Sequence, residues 1–289
     1  MSEQSINPET KSILDEYLAD MKLNNKSQKT IYQYQRYLMR FFSECQKPIT
    51  DITYDDVYSF IKKYHPEKLY KPRSINTYIS ILTSFFNYCV GEEYIETIPI
   101  KRRWRHKTPK SIPKHLSPIE VAKVKLQTEK RSIRDRAIIA LMFSSGIRRN
   151  ELHLLNFENI DLENRTAVVH GKGNKNRIIH FSEETALFLQ ELIKYHPQTE
   201  KALFLNKYNK RLSDRYIYEL TKQIEKNANL TRPFSPHICR HTFATTLVKR
   251  GANIKFVADE LGHVNINTTQ IYAKLPDEEV MAVYKKIMG

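Results

Sequence analysis

Apolar residues recur every three or four positions through the first third of the chain. Four stretches carry this pattern: "TKSILDEYLADMK", "SQKTIYQYQRYLMRFFSEC", "TYDDVYSFIKKYH" and "RSINTYISILTSFFNYCV". That spacing puts one side of a helix in a core. In the second stretch Ile31, Leu38, Phe41 and Phe42 form one such stripe. Aspartates, prolines and lysines separate the stretches, so the pattern predicts a small bundle of about four helices over residues 8–98. The pattern breaks at "PIKRRWRHKTPKSIPKHLSP", where prolines and basic residues crowd together. Residues 99–111 read as an extended basic linker. With Trp104 in it, the linker could track a phosphate backbone or be a solvated spacer. A second pattern follows from residue 112 to 289. "RSIRDRAIIALMFSSG" predicts a helix stopped by Gly146. In "RTAVVHGKGNKNRIIHF", the runs "TAVVH" and "RIIHF" flank a Gly-Lys-Gly-Asn-Lys-Asn turn and predict a β-hairpin. The chain then returns to helical spacing. The expected fold is mainly α with a small β-sheet, a helical unit followed by a mixed α/β unit.

The segment "SPHICRHTFATT" combines a helix start with candidate chemistry. Ser235 suits the N-cap and Pro236 the first helical position, and Gly251 suits the stop. His237, Arg240 and His241 then share a face near the positive end of the helix dipole. Zinc, a structural network and an anion are all compatible with that cluster. Charge shifts the balance: the 289 residues carry a formal charge of +15. The 40% of hydrophobic residues are enough for a core, so the surplus of Lys and Arg points to a polyanionic partner, nucleic acid or an acidic membrane surface. Membrane binding loses ground, because the longest apolar run, "AIIALMF", is too short to cross a bilayer. The N-terminus "MSEQSINPETK" is polar and unlike a signal peptide. Cys45, Cys89 and Cys239 are too few and too scattered for a disulfide framework, which fits a reducing cytoplasm. The same scatter argues against zinc, since no Cys-x-x-Cys joins His237 and His241.

Other segments extend the anion reading. "SSGIRRNEL" places Arg148 just past a helix-stopping glycine with Glu151 three residues on. An arginine oriented by a carboxylate suits a phosphate. Lys172 lies between two glycines of the hairpin turn, and "ELGHVNINTTQIYAKL" adds His263 and Tyr272. Taken singly, Arg148 could be a surface ion pair, Lys172 a solvated turn residue, His263 a helix-end cap and Tyr272 a packing residue.

Together these segments resemble the tyrosine recombinase (phage integrase-like) family along nearly the whole chain. The family's boxes are "TGxRxxEL", "GKGxKxR", "HxxRHTFAT", "LGH" and "TTxxY". This chain reads "SGIRRNEL", "GKGNKNR", "HICRHTFAT", "LGH" and "TTQIY" in the same order. Cys239 stands where a larger apolar residue is common, and Arg149 adds a second arginine beside Arg148. The resemblance implies catalytic roles for Arg148, Lys172, His237, Arg240, His263 and Tyr272, with His241 supporting. It implies a tyrosine attack on a DNA phosphodiester with two arginines on the phosphate, without a cofactor or metal. It also implies a core-binding (SAM-like) first domain, a duplex DNA partner with a specific recombination site, and a homo-tetramer on two DNA sites. A paralogous recombinase or an accessory activator is left open. Within the first domain and linker, Lys29, Thr30, Arg73, Asn76, Arg102 and Arg103 are candidate DNA contacts.

The compact N-terminal part leaves no room for an arm-binding domain, which favours an Xer-like enzyme that resolves chromosome or plasmid dimers. Integration or excision of a mobile element is the alternative. A type IB topoisomerase and a non-catalytic DNA-binding protein are weaker readings. Finally, Pro276 and the acidic residues Asp277 to Glu279 suit a helix start, and Val280, Val283, Tyr284 and Ile287 form a stripe after it. That tail is expected to be a helix docking on a neighbouring subunit.

Overall fold

The computed structural model describes residues 6–63, 71–108, 114–171, 176–197, 200–262 and 269. Lys172, His263, Tyr272 and the tail from Pro276 lie outside the described residues. The chain divides into two compact units, Met1–Lys110 and Ser111–Gly289.

The first unit holds α1 (Pro8–Leu23), α2 (Gln28–Glu44), α3 (Tyr54–Lys63) and α4 (Pro72–Gly91). Side chains set where the helices begin. Asn7 accepts the Glu9 and Thr10 N–H groups, and Ser27 accepts that of Thr30. These satisfy first-turn donors that have no partner within the helix. The stripe of Ile31, Leu38, Phe41 and Phe42 is buried as expected. It meets Phe85 and Phe86 of α4 in edge-to-face pairs, Phe42–Phe85 at 5.3 Å and Phe41–Phe86 at 6.2 Å between ring centroids. Such geometry opposes a positive ring edge to a negative face.

The basic segment after α4 differs from the extended linker that its prolines suggest. Ile100 is buried against the first core, and Arg102–Trp104 forms a 3-10 turn. Trp104 lies against Tyr58, centroids 5.3 Å apart. Asn76 fixes the next residues. Its Nδ2 donates to the His106 carbonyl and its Oδ1 accepts the His106 N–H, both at 2.9 Å. The candidate DNA contact Asn76 therefore spends its amide on the chain's own backbone. Thr30 is likewise part of the α2 cap, with its hydroxyl 2.8 Å from that of Ser27. Lys29, Arg73, Arg102 and Arg103 are exposed.

The second unit begins with α5 (Pro118–Glu129), α6 (Ile133–Ser145) and α7 (Arg149–Leu154). A three-stranded antiparallel sheet follows, in the order β1 (Ile160–Asp161), β2 (Thr166–His170) and β3 (Asn176–His180). The hairpin is where alternation placed it, with Val169 opposite Arg177. Ala167, Val169 and Ile179 face the core, while Val168 and Ile178 face out. The last helices described are α8 (Glu183–Lys194), α9 (Asp214–Asn227), α10 (Pro236–Lys249) and α11 (Ile254–Leu261). Ser235 caps α10 by accepting the Ile238 N–H at 3.3 Å. Gly146 ends α6 at φ 60°, and Gly262 ends α11 at φ 59°. Positive φ there favours glycine.

Trp104 is the single tryptophan and packs on the first core, so its fluorescence reports that unit. Phe85→Ala removes a fully buried ring and is expected to cost about 3–5 kcal/mol. Urea unfolding followed at Trp104 should show an earlier midpoint. An unchanged midpoint would show that the aromatic cluster does not carry this unit.

Candidate active site

A helix that ends inside a protein leaves its last carbonyls without helical partners. Helix α11 ends this way, and three arginines from elsewhere in the second unit meet three successive carbonyls. Arg177 Nη1 donates to Glu260 O at 2.5 Å, Arg240 Nη2 donates to Leu261 O, and Arg148 Nη2 donates to Gly262 O at 2.8 Å. Cations are favoured at this negative end of the helix dipole. Arg240 also donates through Nη1 to Gly146 O at 2.7 Å, tying the end of α6 to the end of α11. The two glycine turns that stop these helices thus hang on one buried guanidinium, 4% exposed.

Glu151 organises the arginines from the other side. Its Oε1 accepts from Arg148 Nη1 at 2.6 Å, and its Oε2 accepts the Arg148 N–H at 2.9 Å and Arg177 Nη2 at 2.8 Å. Burial by itself would push this carboxyl up. The Arg177 charge, the Arg148 N–H and the Arg148 guanidinium outweigh it and hold Glu151 below the usual carboxylate range. Glu151 is therefore charged at neutral pH, as a carboxylate that fixes two guanidiniums must be. Arg148, about one third exposed, is the more open of the two. Arg149 points elsewhere, with Nη2 3.0 Å from Asp214 Oδ2, so the arginine in the motif position is the one brought into the cluster.

His237 and His241 lie one helical turn apart on α10, Nε2 to Nε2 2.9 Å. One ring must donate its N–H and the other must accept through a lone pair. Burial lowers His237, and the Arg240 charge adds to it. Burial pushes His241 down to about 4, helped by His237, Arg240 and His115. Both rings are neutral at pH 7, so His237 can accept a proton. Among the described residues no metal-like group of three His, Cys, Asp or Glu forms.

Of the six expected catalytic residues, the structure brings Arg148 and Arg240 to adjacent carbonyls and places His237 on the helix of Arg240, within reach of its charge. Arg240 differs in one respect from the sequence expectation. It does not rest at the N-terminus of its own helix but reaches carbonyls at the C-termini of α6 and α11. Sequence reasoning missed Arg177 as part of this cluster. Its one signal was its place at the end of the "GKGxKxR" pattern. Two guanidiniums at one helix end beside neutral imidazoles can hold an anion and take up a proton.

Known proteins share this arrangement of sequence. Residues 116–279 match the Phage integrase family, and residues 14–93 match the Phage integrase N-terminal SAM-like domain. Tyrosine recombinase XerA of Pyrococcus horikoshii is 32% identical over 278 residues, which covers 95% of this chain and 93% of XerA. Tyrosine recombinase XerC of Leptospira interrogans serogroup Icterohaemorrhagiae serovar copenhageni is 31% identical over 99% of this chain and 94% of its own length. Among solved structures, XerH bound to a palindromic difH substrate superposes with a TM-score of 0.77 over 94% of this chain and 84% of XerH, at 24% identity.

The lowered histidines make stability depend on pH. His241 titrates near 6.5 when unfolded and about 4 when folded. A depressed folded value means that the contribution is complete above about pH 6.5 and is lost as the pH falls toward about 4. Urea unfolding followed by circular dichroism should show stability falling across that window. His241→Gln, which keeps a donor and an acceptor but cannot titrate, should make the fall shallower. An identical slope would remove the pair as its source.

Proposed function

The chain belongs to the phage integrase family and is a tyrosine recombinase, and from that premise we propose the step it performs. Tyr272 attacks the phosphorus of a DNA phosphodiester, and the bond from phosphorus to the 5′ oxygen breaks. The phenolic proton passes to His237, and Lys172 gives a proton to the departing 5′ oxygen. The product is a 3′-phosphotyrosyl link and a free 5′ hydroxyl. One ester replaces another, so the hydroxyl of a second strand can reverse the step. Tyrosine titrates near 10 in water and attacks poorly as a phenol, so it needs this base and a stabilised transition state.

The observation that carries the reading is the placement of Arg148 and Arg240 on adjacent carbonyls, Gly262 O and Leu261 O. Two guanidiniums held this close can grip the two nonbridging oxygens and oppose the charge that builds on them. His263 follows Gly262 in the chain and adds a further donor to the phosphate. The formal charge of +15 supports duplex DNA as partner. Lys29, Arg73, Arg102 and Arg103 are its exposed candidates for phosphate contact. Each tyrosine cuts one strand, and two duplexes present four strands, so the complete reaction calls for four copies on two sites. The names of XerA and XerC support an Xer-like role, the resolution of chromosome or plasmid dimers, and the three scattered cysteines fit a reducing cytoplasm.

Covalent capture tests the central step. Protein incubated with genomic DNA of its source and denatured should carry DNA on Tyr272, and sequencing the captured ends should converge on one site. Tyr272→Phe should bind a duplex of that site and form no adduct. Captured ends spread over all sequences would favour a topoisomerase instead.

Lys172→Ala should cleave that duplex about 10²–10⁴-fold more slowly, the usual range for losing a general acid. A bridging sulfur in place of the 5′ oxygen leaves without a proton and should restore the rate. An equal defect on both substrates would take Lys172 out of this role.

A further inference from the structure

Arg177 stands outside the catalytic set, yet it touches more of the cluster's framework than its surface-strand position suggests. It is the second residue of β3 and pairs across the sheet with Val169. Its side chain leaves the sheet and is half-buried between two elements. Nη2 donates to Glu151 Oε2 at 2.8 Å, and Nη1 donates to Glu260 O at 2.5 Å. Glu151 in turn holds the Arg148 guanidinium through its other oxygen, at 2.6 Å. The Glu260 carboxylate is engaged as well, its Oε1 2.8 Å from His180 Nδ1 on the same strand. Strand β3 therefore fixes both the backbone and the side chain of the residue two places before Gly262. The arginine stem also fills the space over Gly262, where a Cβ would sit 2.5 Å from Arg177 Cδ and 2.7 Å from Nε.

We propose that Arg177 is a positioning residue that sets the Arg148 guanidinium against the scissile phosphate through their shared carboxylate, Glu151. The proposal rests on the recombinase reading above. Three features of the geometry give Arg177 this role. A carboxylate shared by two guanidiniums places each relative to the other, because moving one oxygen rotates the other. A planar guanidinium spans Glu151 and the Glu260 carbonyl at once, which the point charge of an ammonium cannot do. Glu151 is buried and charged, so losing Arg177 leaves it with Arg148 as its one arginine and draws that guanidinium inward. Arg148 then sits further from the phosphate. A misplacement of about 1 Å costs on the order of 100-fold in rate.

The test uses the 289-residue chain and synthetic duplexes of the captured site. One carries the ordinary scissile phosphodiester, and the other a methylphosphonate in its place. The methyl group removes one negative oxygen, so the transition state builds less charge and depends less on where Arg148 lies. Arg177→Gln and Arg177→Lys are each compared with the unaltered chain for duplex binding, single-turnover cleavage and thermal unfolding. Expected are unchanged binding, cleavage of the phosphodiester about 100-fold slower for Arg177→Gln and less impaired for Arg177→Lys, and a defect on the methylphosphonate reduced to a few-fold. Equal defects on the two substrates would mean that Arg177 serves only the fold, and so would loss of cooperative unfolding in both variants. Normal cleavage by Arg177→Gln would overturn the proposal as directly. If the unaltered chain cleaves neither duplex, the recombinase reading has failed and the proposal falls with it, an outcome distinct from the others.

Discussion

The catalytic unit depends on how the last carbonyls of α11 are satisfied. Leaving such groups buried and unpaired costs about 1–3 kcal/mol each. The chain meets the demand with guanidiniums, from Arg177, Arg240 and Arg148 in turn. These are the groups that a phosphate also needs. A guanidinium has five N–H donors, so it can bond a carbonyl and still present an edge to an anion. Structural bonds of this kind fix the guanidiniums in advance, and groups fixed in advance need less reorganisation when an anion binds. The same bonds give the glycines their places. Gly262 must turn at positive φ and leave room for Arg177, and Gly146 must turn beneath Phe243, whose Cδ1 would lie 2.5 Å from an added Cβ.

Features set by near neighbours were legible in the sequence. The α2 stripe, the Gly146 stop, the Ser235 cap and the hairpin all rest on residues within one or two turns of each other. The pairing of His237 with His241 belongs to this class, since i and i+4 meet on any helix. Features set across the chain were not legible. Arg240 bonds a carbonyl 94 residues earlier and another 21 residues later. Arg177 reaches Glu151 across 26 residues and Glu260 across 83. No periodicity reports such pairs. The basic linker was misjudged for a related reason. Prolines and charge suggested an extended segment, but Asn76 and the Tyr58 ring, both from earlier helices, fold its first half onto the bundle.

Charge has two separate tasks in this molecule. The surplus of +15 is mostly a surface property and acts at long range, so salt screens it over about 10 Å at 0.1 M. The guanidiniums of Arg240, buried, and Arg177, half-buried, act at hydrogen-bond distance, where salt has less effect. Exposed lysines and arginines can therefore change without touching the chemistry, provided enough of them remain to hold a duplex.

Glu151 is shared by Arg148 and Arg177, the Glu260 carboxylate acts on Arg177 as well, and Arg240 bonds the carbonyls of Gly146 and Leu261. A further carboxylate in the cluster would satisfy the arginines better and would compete with the substrate. Helix-end carbonyls position a guanidinium without neutralising it. In the proposed reaction, guanidiniums held by carbonyls keep charge to set against a phosphodiester. Its transition state carries more charge on the same oxygens. That difference between ground state and transition state is what a catalyst must exploit, and the proposed reaction would draw it from the arginines that meet the end of α11.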